Sequence, residues 1–294
     1  MKIPEACRVS AMLALALAAG CATTETEWAE RPGPGLIDEV AAVLVGDYSN
    51  HAQWQREGAA GGGPIELRVW REPIDDPASA ALRLSQSRPG QAPRVFQVTL
   101  APDQRPDVLA GQFAPVADDG RVRRVCPMSF TVRRTGFVGE TDPESCQFGD
   151  TGRRTGLIKE IAHDGRQLVI GDRLVSVATG EPVGEDRILR FDRVRPFSGW
   201  AGVREDGGDW RLAESIHLLS DGAGARPKDA AGMDLGIRLE LAPYFWRDDG
   251  PALLRLTVID LENGDTLGQA WADISAEQIG LALPDLQVGL HLGQ

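Results

Sequence analysis

Between Ile65 and Val194 the chain carries a series of short runs in which apolar and polar residues alternate. Ile65, Leu67 and Val69 alternate with Glu66, Arg68 and Trp70, and Leu82 and Leu84 with Arg83 and Ser85. Residues 95–100 alternate again until Pro102 stops them. A period of two sends successive side chains to opposite faces of a strand, so these segments read as half-buried antiparallel strands. More short strands are expected at 129–133, 154–161, 167–176 and 186–194, with 154–161 alternating least well. Asp118-Asp119-Gly120, Asp164-Gly165 and Thr179-Gly180 supply turns between them. Many short strands with Gly and Asp turns predict an all-β sandwich or barrel.

The flanks read differently. Leu36, Ile37, Val40, Val43 and Leu44 recur at helical spacing, with Gly46 as the expected C-cap. Residues 58–64 form a glycine-rich loop, and 196–208 (PFSGWAGVREDGG) read as a boundary. Beyond it, strands are expected at 210–219, 235–246, 253–261 and 266–274, with hairpin turns at 248–250 and 262–265. Residues 222–232 read as a loop of small residues. The chain therefore divides into a helix-led β portion at 36–195 and a C-terminal β-rich extension at 200–294.

The first residues set the compartment. Lys2 and Arg8 precede an apolar run from Val9 to Ala19, and Gly20-Cys21 follows. That order describes a secretory signal, and the run is too short for a spanning helix, which needs about 20 residues. Leu17-Ala18-Ala19-Gly20-Cys21 resembles a bacterial lipobox, with Ala18 where Leu is usual. Residues 1–20 are then a lipoprotein signal peptide, Cys21 is the lipidation site, and 21–35 is a tether. The other reading is an ordinary signal cleaved near Ala22. With no Asp after the Cys, the expected location is the outer membrane, facing the periplasm.

An exported chain can keep disulfides. Cys7 leaves with the signal and Cys21 takes lipid, so Cys126 and Cys146 remain as an expected disulfide. There is no CxxC, and His51, His163, His217 and His291 are scattered without ligand spacing, so no metal site is expected. The chain carries 31 basic and 43 acidic residues, net −12. Such a surface argues against nucleic acid as a partner. A Gly-x-Ser-x-Gly elbow and a phosphate loop are absent, which leaves hydrolase and kinase chemistry without support.

Several short motifs share one order along the chain. Gly46-Asp47-Tyr48-Ser49-Asn50-His51-Ala52-Gln53 follows the helix. Leu82-Arg83-Leu84-Ser85-Gln86 and Pro93-Arg94-Val95-Phe96 come next. Then stand Cys126-Pro127-Met128, Phe137-Val138-Gly139, Cys146 and Asp172-Arg173, with Gly180 or Gly184 downstream. Over residues 36–195 this order resembles the CpcT/CpeT family of bilin lyases. The family's Leu-Tyr-x-Glu-Gln element keeps only its Leu and Gln here, and its Tyr-Arg-x-Arg-Val element keeps one Arg.

The resemblance implies an antiparallel, calyx-like (lipocalin-like) β-barrel of roughly ten strands with the N-terminal helix at one end. It implies a small ligand in the mouth, an open-chain tetrapyrrole (bilin) in the family. A bilin offers two propionates, which Arg can grip bidentately, and pyrrole N–H groups, which a carboxylate can accept. Arg94 and Asp172 suit those roles, with Arg173 as an alternative. Asn50 and Gln53 are further ligand candidates, or else fasten the helix end to a strand. Asp172-Arg173 reads equally as a surface ion pair or part of a turn. Trp54, Trp70 and Trp200 read as cavity lining or, more simply, core.

The leading expectation is a lipid-anchored envelope protein that binds a small apolar or tetrapyrrole-like molecule without turning it over. The alternatives are a chromophore lyase, attaching a bilin to a Cys of an acceptor protein, and a structural or assembly lipoprotein with an envelope partner or a second copy of itself.

Overall fold

The computed structural model describes residues 34–58, 63–149, 154–204, 207–245 and 252–293. The expected signal, Cys21, almost all of the tether and the 248–250 turn lie outside them. The chain begins with helix α1 (Pro34–Leu44), strand β1 (Gly46–Ser49) and the short helix α2 (His51–Arg56). Strands β2 (Glu66–Glu72), β3 (Ala80–Ser87), β4 (Arg94–Pro102), β5 (Val108–Val116), β6 (Cys126–Arg133) and β7 (Gly136–Thr141) follow. Then come the two-residue β8 (Gln147–Phe148), β9 (Thr155–His163), β10 (Gln167–Ser176) and β11 (Arg187–Val194).

These strands form an antiparallel sheet in the order β10-β11-β1-β2-β3-β4-β5-β6-β7-β9. Pairing of β9 with β10 closes it into a ten-stranded barrel, with β8 attached outside the closure. The expected all-β barrel with an N-terminal helix is thus what the chain forms. Its interior carries the apolar set of each strand: Leu67 and Val69, Leu82 and Leu84, Val98 and Leu100, Ile161, Leu168, Ile170 and Phe191.

Helix α1 closes one end. Leu36, Ile37, Val40, Ala41 and Leu44 are buried in the same core, and the helix packs on β2, β3 and β4. It ends at Leu44, and the residues after it are strand rather than a further turn of helix. The Tyr48 hydroxyl explains the stop: it donates to the carbonyls of Val43 and Leu44 at 2.8 and 3.0 Å, taking up acceptors a helix end leaves free. Gly46 makes the reversal at φ +151°, where an added Cβ would meet the Arg193 guanidinium at 2.8 Å.

The Phe-x-Gly motif has a packing role. Phe130 is fully buried, and a Cβ on Gly139 would come within 2.3–2.5 Å of its ring, one on Gly111 within 2.8 Å. Both strands flanking Phe130 omit a side chain to admit the ring. Gly139→Ala therefore overpacks the core, and a urea melt is expected to show a loss of about 1–3 kcal/mol.

A second unit follows with almost no linker. It comprises β12 (Pro196–Arg204), β13 (Trp210–Leu219), β14 (Ile237–Phe245), β15 (Ala252–Asp260), β16 (Thr266–Asp273), β17 (Gln278–Leu283) and β18 (Leu286–Leu292). Sheets β13-β12-β18-β17 and β14-β15-β16 enclose their own core, built on Phe197, Ile216, Leu239, Leu241, Leu254, Leu256, Val258 and Val288. The boundary expected at 196–208 is mostly strand, and the connector is Arg195 alone. Arg195 is held at both ends, its N–H on Ser220 Oγ at 2.9 Å and its guanidinium on the carbonyls of Ile274 and Ser275. The glycines of β12 disguised it: a Cβ on Gly199 would stand 2.0 Å from the Gly289 carbonyl, so glycine marks close backbone approach, not a linker.

Candidate functional site

The end of the barrel opposite α1 is open. A cavity of about 610 Å3 enters there, within the usual range of small-molecule sites. The ends of β3, β5 and β10 and the starts of β4, β6 and β9 supply its walls. Phe96, Phe113, Leu157 and Leu174 form the apolar lining, and Gln86, Arg94, Arg124, Lys159 and Asp172 the polar one.

Lys159 is the unusual group. On β9 it follows Leu157 and precedes Ile161 on the inward face, and its side chain is only 5% exposed. Its Nζ donates to Asp172 Oδ1 at 2.7 Å, directly across the β9–β10 pairing. The ammonium also sits 5.1 and 5.5 Å from the ring centroids of Phe113 and Phe96. Burial pulls its pKa below the ordinary lysine value; the Asp172 charge opposes that pull, while Arg94 and Arg187 reinforce it. Among the described residues one carboxylate, Asp172, thus meets Lys159, Arg94 and Arg124 in the lining, an excess of positive charge against aromatic walls. Such a chamber is suited to an apolar molecule bearing acid groups.

The rim is fastened on one side. Cys126, at the start of β6, forms a disulfide with Cys146, as expected, with the two Cα atoms 5.0 Å apart. The bond ties the segment that carries β8 to the barrel mouth. Arg124 donates to the Gln147 carbonyl and lies 4.8 Å from the centroid of Phe148, itself a lining residue.

Of the expected ligand residues, the structure brings Arg94 and Asp172 together in the mouth. Arg173 is corrected: consecutive strand residues face opposite ways, so it points outward and pairs with Asp186 at 3.6 Å. Asn50 and Gln53 lie outside the mouth and take the other of their two expected roles, fastening a helix end to strands. Beyond the end of β1 they stitch β2 to β11: Asn50 Oδ1 accepts from the Ile65 N–H at 2.5 Å, Gln53 Oε1 accepts from the Arg190 N–H at 2.7 Å, and Gln53 Nε2 donates to the Ile188 carbonyl at 2.9 Å. Their amides continue the sheet where its strand has stopped. Asn50→Ala would leave a buried N–H unpaired, and chemical denaturation is expected to read a loss of about 1–3 kcal/mol with ligand affinity unchanged. Trp70 and Trp200 belong to neither core nor mouth; both stand exposed on outer faces.

Lys159, Phe96, Phe113 and Arg124 were missed by sequence reasoning. The signal for Lys159 was present as a flaw: a lysine in the inward register of a strand that alternates poorly.

No protein-family model matches the chain, and no curated protein matches it. Among solved structures the chain is similar to the SeMet CRL protein of Arabidopsis, at 13% sequence identity and a TM-score of 0.42, covering 55% of this chain and 100% of that chain.

Proposed function

We propose that this chain is a lipid-anchored calyx protein of the CpcT/CpeT type that holds a carboxylate-bearing, tetrapyrrole-like molecule in its barrel mouth without turning it over. The observation that carries the reading is the buried Lys159 ammonium, paired with Asp172 on its solvent side and set beside the stacked Phe96 and Phe113 rings, with Arg94 also lining the mouth. A purely structural barrel gains little from burying an ammonium, because taking that charge out of water costs about as much as its attraction to Asp172 returns. A binding chamber gains a fixed cation beneath an apolar wall. A ligand acid group would engage Arg94 at the entrance, and Lys159 would supply the deeper charge.

Mature protein titrated with biliverdin, haemin and oleate tests the reading. A saturable shift of chromophore absorbance, with oleate competing, is the expected outcome. No response to any of the three would remove the carrier reading. Passage of biliverdin to the thiol of an acceptor protein would turn it into a lyase reading instead.

A further inference from the structure

The barrel mouth leaves the second unit unexplained. The sheet β13-β12-β18-β17 buries Ala201, Val203, Ala213 and Val288 on its inner face. Its outer face carries a groove of about 550 Å3 lined by Trp200, Trp210, Leu212, Glu214 and Gln287. Trp200 is 41% exposed and Leu212 43%, an unfavourable amount of apolar surface to leave in water on a face that could have been polar.

The backbone beneath is shaped for these rings. Gly289 lies opposite Trp200 across the β12–β18 pairing, and a Cβ there would meet the indole Nε1, Cε2 and Cζ2 at 2.7, 3.1 and 3.4 Å. A Cβ on Gly202 would meet Leu212 at 2.7 Å and the Trp210 ring at 3.1 Å. Glycine inside a strand weakens it, so two glycines under two indoles are a cost borne to let the rings lie over the sheet. Trp210 is steadied further by the Arg204 guanidinium, 5.3 Å from its centroid, which Asp285 holds at 3.0 Å.

From this geometry we infer that the outer face of β12, β13 and β18 is a binding site for a neutral oligosaccharide. A pyranose ring has an apolar C–H face, which an indole covers, and equatorial hydroxyls at its edge, which Glu214 and Gln287 are placed to accept from and donate to. Other occupants fit less well. A nucleic acid or phosphate ligand would meet Glu214 and an acidic chain. An extended peptide adds to a free sheet edge through its backbone, whereas this groove is lined by side chains on the face of β12, β13 and β18. The site is separate from the barrel mouth and does not depend on what the mouth holds.

Calorimetry and tryptophan fluorescence of the mature protein with cellohexaose, chitohexaose and laminarihexaose provide the test. At least one is expected to bind saturably, with a blue-shifted emission, and Trp200→Ala to weaken it at least about tenfold, the loss of one stacking contact. Gln287→Ala is expected to weaken it too, and serves alone if near-UV dichroism shows Trp200→Ala to be unfolded. Lys159→Met in the barrel is expected to leave sugar binding unchanged. The proposal is overturned if none of the three sugars binds at millimolar concentration, or if the folded Trp200→Ala or Gln287→Ala protein binds as the wild type does. It is equally overturned if sedimentation shows a dimer that Trp200→Ala dissolves, since the face would then be a contact between copies.

Discussion

Lys159→Met is expected to reduce affinity for biliverdin by about tenfold to a hundredfold, the equivalent of one charged hydrogen bond, while the barrel stays folded. Methionine matches the length of the lysine stem and leaves Asp172, at the solvent side of the pair, free to hydrate. Asp172→Asn is the harsher change for the fold, because it strands an ammonium that is almost wholly buried. The two variants therefore separate binding from stability. They also separate in pH. The native Lys159 pKa is lowered, so between that value and the ordinary lysine value of about 10.4 the unfolded chain holds a proton that the folded chain has released. Stability from this group rises with pH through that window. Denaturation midpoints of the wild type are expected to gain on those of Lys159→Met as pH rises through it; parallel curves would show that the ammonium is not under strain from burial.

Replacing both Cys126 and Cys146 by serine has the second large effect. The bond closes a loop with a sequence separation of 20, and loss of such a constraint costs on the order of 3 kcal/mol. For the barrel unit this corresponds to a fall in Tm of about 6–12 °C. The rim has a further consequence. The segment carrying β8 and Phe148 is tied to the mouth by this bond and by the contacts of Arg124. Calorimetric titration of the double variant is accordingly expected to show faster ligand exit and weaker binding at a temperature where it remains folded. An unchanged affinity would show that the tied segment stabilises the barrel without shaping the site.

The barrel was legible because its strands are half-buried, and half-burial writes a period of two into the sequence. Residues 167–176 read as a strand and are one, since Leu168 and Ile170 face the core while Val169 does not. What escaped were elements whose signal other needs had removed. In β5, Gly111 gives way to Phe130; in β12, Gly199 and Gly202 give way to a backbone and two rings. Residues 196–208 read as a boundary for that reason, and 108–116 carry no clean alternation. The site was legible only where a motif marked it, at Arg94 and Asp172. Arg173 and Asp172 are neighbours in sequence, and only the strand's alternation sends one inward and the other out. Asn50 and Gln53 are polar residues in a conspicuous motif, but their work is to complete a sheet. Lys159 has no motif around it; its meaning comes from Phe96, Phe113 and Asp172, which lie on three other strands.

Difference density from a crystal of the mature protein soaked with biliverdin tests the central claim most directly. The ligand is expected inside the open end of the barrel, with one propionate on Arg94 and its ring system against Phe96 and Phe113. Biliverdin ordered elsewhere on the molecule, or a mouth filled by side chains alone, would contradict the account.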